Sequence, residues 1–297
     1  MKRLQKGELW QRVVEQSADG LKSGALHSLP TDCEFIEQGG IRFAVRILAN
    51  LERKDQAKRQ QQLKPKGADF DPFLPYEEDL FVADLGETHV CLLNKYNVFN
   101  HHLLIVTRAF EAQTELLNEQ DFAALASCMV EFEGFAFYNG GTLAGASQRH
   151  KHLQYVPLPL SPSGAAIPLQ PLLKAGLAAT KDFTAPLPFD HAIAVLSPAI
   201  DESTTNAAQT LTAAYRRLLA TFHLAENGTQ QSAPYNLLAT RQWMMVVPRL
   251  QESYANISVN ALGFAGSLFV RNQEELQLLR DVGPMRILEH VAKHASV

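Results

Sequence analysis

The sequence predicts a mixed α+β fold, an antiparallel sheet with packed helices, on three observations. Several short apolar segments follow one another across turns of a few residues, which join antiparallel rather than parallel strands. Segments with helical periodicity lie between them. Both halves of the chain show the same ingredients. With 297 residues, 46% hydrophobic and 20% charged, the chain is long and apolar enough to bury a core.

The first fifty residues read as an amphipathic helix and then a strand, in which Ile41, Phe43, Val45 and Ile47 alternate with Arg42, Ala44 and Arg46. The polar stretch from Glu52 to Gly67 reads as a solvated helix face or a loop, and Asp69 to Pro75 as a loop. Strands are expected at Thr88–Lys95 and His102–Thr107, with a turn from Tyr96 to His101. A helix starts after Asn118, a suitable N-cap, and carries Phe122, Leu125, Ala126 and Met129 on one face. Phe135 to Asn139 is a short aromatic strand that feeds a small-residue loop, Gly140 to Ser147.

The proline-rich run from Pro157 to Gly164 cannot be regular structure, and with Pro168 and Pro171 it makes the best boundary in the chain. It divides the chain into residues 1–165 and 166–297. Beyond it come a strand over Phe189–Leu196 and a helix over Thr205–Phe222, with Leu211, Tyr215, Leu218 and Phe222 on one face. Two strands follow, Tyr235–Thr240 and Trp243–Val247. Gly263 and Gly266 interrupt an apolar segment, Val259–Val270, and a helix around Ile287–His294 closes the chain.

The net charge of −4 and a pI of about 6.2 argue against a protein that coats nucleic acid. Cys33, Cys91 and Cys128 have neither metal-site nor disulfide spacing. The basic start, Met1 to Lys6, lacks an apolar run behind it, and no segment has the length of a membrane span. A cytoplasmic protein without a membrane or nucleic-acid partner is expected.

The chemistry concentrates in Gln148-Arg149-His150-Lys151-His152-Leu153-Gln154. On a strand, His150, His152 and Gln154 share one face. A neutral imidazole attacks phosphorus without strong activation. The glycines of the preceding loop let backbone N–H groups approach an anion, although no Gly-Lys-Ser/Thr makes it a P-loop. Asn139, Ser147 and Gln148 add neutral donors, and Lys95 can supply charge to a polyphosphate. A zinc site is the rival reading, with a third ligand from His89, His101, His102 or a carboxylate elsewhere, but Gln154 is a poor zinc ligand.

His150-Lys151-His152-Leu153-Gln154 resembles the His-X-His-X-Gln form of the histidine triad superfamily. Leu92-Leu93-Asn94-Lys95-Tyr96 and His102 to Thr107 resemble the diadenosine tetraphosphate phosphorylases, also called ATP adenylyltransferases. So do Phe137-Tyr138-Asn139, Tyr235-Asn236-Leu237, Trp243 to Arg249 and Asn260 to Arg271. The resemblance covers nearly the whole chain, in the expected order.

It implies a histidine-triad-like antiparallel sheet with packed helices, plus a C-terminal α+β part. His152 would be the nucleophile that takes the adenylyl group, His150 would support it, and Gln154 would contact the α-phosphate. Lys54, Asn94, Lys95, Asn139, Gly145, Ala146, Ser147 and Gln148 would bind substrate. Asn260, Ala261, Leu262, Ser267 and Arg271 would shape the nucleotide site. There Ala261 and Leu262 stand where small hydroxyl residues are expected, and Ser267 and Arg271 replace Met and Lys.

The implied reaction is reversible phosphorolysis of diadenosine tetraphosphate to ATP and ADP through a covalent adenylyl-histidine. Inorganic phosphate is the acceptor. Mg²⁺ would arrive on the substrate, with no protein metal ligand and no organic cofactor. The alternatives are a histidine triad hydrolase, a uridylyltransferase-like enzyme and a non-catalytic nucleotide sensor. The oligomeric state stays open, since the two-part chain can enclose a site as a monomer.

Overall fold

The computed structural model describes residues 6–48, 70–179, 181–196, 200 and 203–293. The polar stretch from Glu52 to Gly67, and Lys54 within it, lies outside the described residues. The chain opens with α1 (Glu8–Ser23), which buries Leu9 and Val13. A hairpin of β1 (Asp32–Gln38) and β2 (Ile41–Ile47) follows. Ile41, Phe43, Val45 and Ile47 are all buried, as their alternation predicts. The sequence pattern gives no sign of β1. Its Asp32, Glu34 and Glu37 hide the pattern because this is a half-exposed edge strand.

Next come β3 (Phe81–Leu85), β4 (His89–Leu93) and β5 (Leu103–Thr107). Helix α2 (Glu119–Met129) starts where expected. The Asn118 side chain accepts from Gln120 and Asp121 N–H, and Asp121 returns the bond in a capping box. β6 (Gly134–Gly140) leads into a 3₁₀ turn, Thr142–Ala144, and β7 (His152–Pro157) completes the expected order. In the proline-rich region, Pro171 opens a further helix, α3 (Gln170–Ala178), because proline suits a first helical turn.

The remainder contains β8 (Ala192–Val195), α4 (Thr204–Thr221), β9 (Tyr235–Ala239) and β10 (Trp243–Pro248), close to the expected positions. A small ribbon, β11 (Ser253–Tyr254) and β12 (Ile257–Ser258), precedes the apolar segment. That segment splits into a single turn, α5 (Ala261–Phe264), and β13 (Ser267–Val270). Gly266 sits between them with φ of 87°, and a Cβ there would lie 2.7 Å from Pro168 Cβ. Two helices end the chain, α6 (Gln273–Val282) and α7 (Pro284–Val291), rather than one.

Eight strands form one antiparallel sheet in the order β3-β4-β5-β7-β6-β9-β10-β8. The junction between earlier and later strands is β6 against β9, with Asn139 opposite Asn236. Residues of α1, α2 and α4 cover one face, packing Val13, Phe122 and Leu211 into a common core with Leu153 and Tyr155 of β7. The small sheet β1-β2-β13, in which β13 runs parallel to β2, covers the other face with α3, α6 and α7. Among the described residues, no helix is long and apolar enough to cross a membrane.

Candidate active site

A cleft of about 1310 Å³ opens on the small-sheet side. Its wall includes His152 and Gln154 of β7, Asn139 of β6, and Asn94 and Lys95 just after β4. Gly145, Ser147 and Gln148 line it from the small-residue loop, and Asn260, Leu262 and Arg271 from the C-terminal part. His150, Ala261 and Ser267 are buried behind the wall, and Ala146 is half-buried beside it. The expected residues that the structure describes therefore converge, but in two layers.

Strand alternation explains the front layer. His152 and Gln154 face the cleft, while Leu153 and Tyr155 enter the helix-side core. The ladder to β5 begins at His152, opposite Val106, so His150 lies just outside the strand. Here the chain has moved to another partner. Lys151 N–H donates to Glu111 O, Gln113 N–H to Arg149 O, and His150 bridges Ala112. The expected uninterrupted row of three side chains is thus two in the strand and one in a bridge.

The geometry of the cleft wall centres on His152. Its Nδ1–H donates to the main-chain carbonyl of His150 at 2.8 Å. Nε2 is left as the nitrogen with a lone pair, and the ring is 5% exposed on the cleft wall. Burial pushes its pKa down to about 4, outweighing the bond to His150 O, so the ring is neutral near pH 7. Gln113, a residue with no sequence signal, fixes the backbone. Its Oε1 accepts from His152 N–H at 2.9 Å and its Nε2 donates to Asn139 O at 2.9 Å.

Behind it, His150 is held at both nitrogens. Nδ1 lies 2.8 Å from Asp71 Oδ2, and Nε2 lies 2.9 Å from Thr107 Oγ1. The ring of Phe73 packs against both histidines, with centroids 5.7 and 5.4 Å away. Lys151, whose side chain points to the opposite face, is 1% exposed and pairs with Asp121 and Glu111.

Gln154 Oε1 accepts from His102 Nε2 at 2.9 Å, which turns its NH₂ toward the cleft as a donor. His102 is also driven down to about 4 by burial, the bond to Gln154 opposing this. His102, a possible third ligand in the zinc reading, here supports an amide. Asn139 Oδ1 accepts from Asn236 Nδ2 at 2.8 Å and from Ala261 N–H at 3.0 Å, so its own Nδ2 is the group free to donate. Buried Arg249 anchors Asn236 Oδ1 at 2.6 Å.

The small-residue loop behaves differently from the expected anion cradle. The N–H groups of Gly141, Ala144, Gly145 and Ala146 close turns within the loop itself. Ser147 and Gln148, beyond those turns, are the loop residues placed to donate. Gly145 is required where it stands: φ is 91°, and a Cβ would lie 2.9 Å from Val259 O. Ser267 is fully buried in β13, and its Oγ has no partner among the described residues.

Charge in the described wall is not that of an open phosphate trap. Its cations are Lys95 and Arg271, against the carboxylates Asp71, Glu77, Glu252 and Glu275. Lys95 pairs with Glu77 at 2.6 Å, Arg271 with Glu275, Glu252 with the Ser258 hydroxyl, and Asp71 with His150. Among the described residues, no group of three or more His, Cys, Asp or Glu side chains is placed to hold a metal ion.

Comparison with known proteins agrees with the fold and the motifs. Residues 1–175 match the Ap4A phosphorylase N-terminal domain, Ap4A being diadenosine tetraphosphate, and residues 185–294 match the ATP adenylyltransferase C-terminal domain. The diadenosine 5',5'''-P1,P4-tetraphosphate phosphorylase 2 of Saccharomyces cerevisiae is 26% identical, over 92% of this chain and 90% of its own. Protein APA1 of the same yeast is 29% identical over 67% of this chain and 68% of its own. The crystal structure of yeast Ap4A phosphorylase Apa2 superposes with a TM-score of 0.79 at 20% identity, covering 99% of this chain and all of that one. The complex of Apa2 with Ap4A gives 0.74 at 23% identity, again over 99% of this chain and 100% of that one. The fold and the matched regions are those of a nucleotidyltransferase. The chain belongs to the Ap4A phosphorylase family.

Proposed function

We propose that this enzyme phosphorolyses diadenosine tetraphosphate to ATP and ADP, reversibly, through adenylyl-His152. The observation that carries the mechanism is the pinning of His152 Nδ1–H on the His150 carbonyl, which presents a neutral Nε2 to the cleft. The Nε2 lone pair attacks an α-phosphorus. The N–P bond forms, the Pα–O bond to the next phosphate breaks, and that electron pair leaves on ATP. A phosphate oxygen then attacks the same phosphorus, giving ADP and returning the N–P pair to Nε2. Gln154 NH₂, Asn139 Nδ2 and the N–H groups of Ser147 and Gln148 supply fixed donors for the non-bridging oxygens. Asn94, Lys95 and Arg271 bind the polyphosphate, with Glu77 and Glu275 exchanging partners as it enters. Gly145, Ala146, Asn260, Ala261 and Leu262 set the shape of the nucleoside end.

Four carboxylates against two cations make this wall inhospitable to a bare tetraphosphate. A divalent cation such as Mg²⁺ would enter chelated by substrate and supply that neutralisation. Cys33, Cys91 and Cys128 are free thiols, which suits the cytoplasm.

The test is incubation with diadenosine tetraphosphate, with and without inorganic phosphate. ATP and ADP should form only with phosphate, and an α-labelled substrate should label the protein under alkaline quench. Phosphate-independent AMP would mark a hydrolase. Unchanged turnover in His152→Asn would overturn the nucleophile.

A further inference from the structure

We propose that Asp71 is a positioning residue for the transfer step, acting on His152 through His150; this rests on the adenylyl-transfer reading above. Asp71 lies 79 residues before His150, on the loop that enters β3. Both oxygens of its carboxylate are committed. Oδ1 accepts the N–H of Phe73 at 2.9 Å, and Oδ2 accepts Nδ1–H of His150 at 2.8 Å.

His150 Nε2 lies 2.9 Å from the Thr107 hydroxyl and 2.8 Å from the Thr107 carbonyl, and with Nδ1–H donated to Asp71 the neutral ring takes the hydroxyl proton on Nε2. The ring is fixed at both ends, and the carbonyl of the same residue fixes the Nδ1–H of His152. The loop reaches the reacting ring by a second route, through Phe73, 5.4 Å away. Asp71 also acts through space. When the Nε2 lone pair of His152 bonds to phosphorus, the imidazole becomes cationic, and a nearby carboxylate favours that form. Burial dominates the His152 equilibrium and opposes the charged ring, while the Asp71 charge pulls the other way.

Asp71→Asn separates this role from simple packing. The Phe73 N–H holds the new amide's oxygen in the Oδ1 place, so its NH₂ faces His150 Nδ1. That nitrogen must then accept, and Nε2–H must donate to the Thr107 carbonyl, 2.8 Å away. A near-isosteric change thus reverses the ring's tautomer.

The experiment compares wild type, Asp71→Asn and Asp71→Ala in steady-state phosphorolysis, in the yield of labelled adenylyl-protein without phosphate, and in nitrogen NMR of the histidine rings. In the Asn variant kcat should fall about tenfold or more while KM stays within about twofold. The yield of adenylyl-protein should fall, and the His150 proton should move from Nδ1 to Nε2. Wild-type kcat in the Asn variant, or an unmoved tautomer, would overturn the proposal. So would equal losses in both variants that track only their melting temperatures. If wild type transfers no adenylyl group, the proposed function fails instead, and the ring spectra still decide the Asp71–His150 link.

Discussion

His102 Nε2 lies 2.9 Å from Gln154 Oε1, and His102 Nδ1 lies 3.3 Å from Asn94 Nδ2. The neutral imidazole therefore relays a hydrogen bond from one amide to the other, leaving the Gln154 NH₂ pointed at the cleft. Two residues, Asn94 just past β4 and His102 just before β5, decide which end of Gln154 faces the cleft.

Removing that relay should cost transfer rate rather than folding. In His102→Phe the Gln154 amide is free to flip, and kcat should fall about tenfold to a hundredfold, approaching the loss in Gln154→Ala. The double variant should lose little more than the worse single one, because both remove the same donor. Additive losses in kcat would sever the link.

Stability should fall as pH drops from about 6.5 to about 4. Burial lowers His102 and His152 to about 4 and also lowers His191. The unfolded chain takes up these protons near the reference value, so it holds more protons than the native state across that window. The contribution is complete above the window and lost on crossing it, on the order of a few kcal/mol for each fully shifted ring. Urea titrations at several pH values would show it, and His191→Phe should flatten the slope. An even stability across the window would contradict the assignment of buried neutral rings.

Lys151→Ala should destabilise the protein by about 3–5 kcal/mol. Its ammonium lies 3.1 Å from Asp121, which also holds His89 at 2.9 Å and caps α2. Truncation leaves a buried carboxylate short of its counter-charge. Lys151→Met should cost nearly as much, although it keeps the stem, and adding Asp121→Asn should recover part of the loss. Chemical denaturation measures each; a Met variant at wild-type stability would show that the stem alone matters.

Gly145→Ala should raise KM more than it lowers melting temperature. The new methyl meets Val259 O and Asn260 in a left-handed backbone, so the loop must shift. Strain of about 1–3 kcal/mol is expected. Ser147 and Gln148 lie two and three residues on and would move with it. Unchanged KM would mean that these residues do not meet substrate.

Sequence pattern revealed the elements whose residues cooperate locally. Strands β4, β5, β9 and β10 are fully buried and largely apolar, and Asn118 announces α2. It missed β1 because an edge strand can carry charge, and α6 because half of that helix faces water. The front of the site was legible, since His152 and Gln154 obey strand alternation. The back was not. Asp71 reaches His150 across 79 residues, Gln113 reaches His152 across 39, and His102 reaches Gln154 across 52. Each is an ordinary polar residue until the fold supplies its partner. The loop glycines misled for a related reason: their N–H groups were available on paper but are spent inside the turns.

The β6–β9 seam has a consequence for dissecting this chain. Residues 134–140 are buried throughout, with one ladder to β7 and the other to β9. A fragment ending near residue 175 would keep His152 yet expose a bare edge of a fully buried strand, an invitation to self-association. It would also lose Asn236, which sets the orientation of Asn139. Two separately expressed pieces should therefore zip together along that edge and regain function only as a pair, making the seam a natural place for a split reporter.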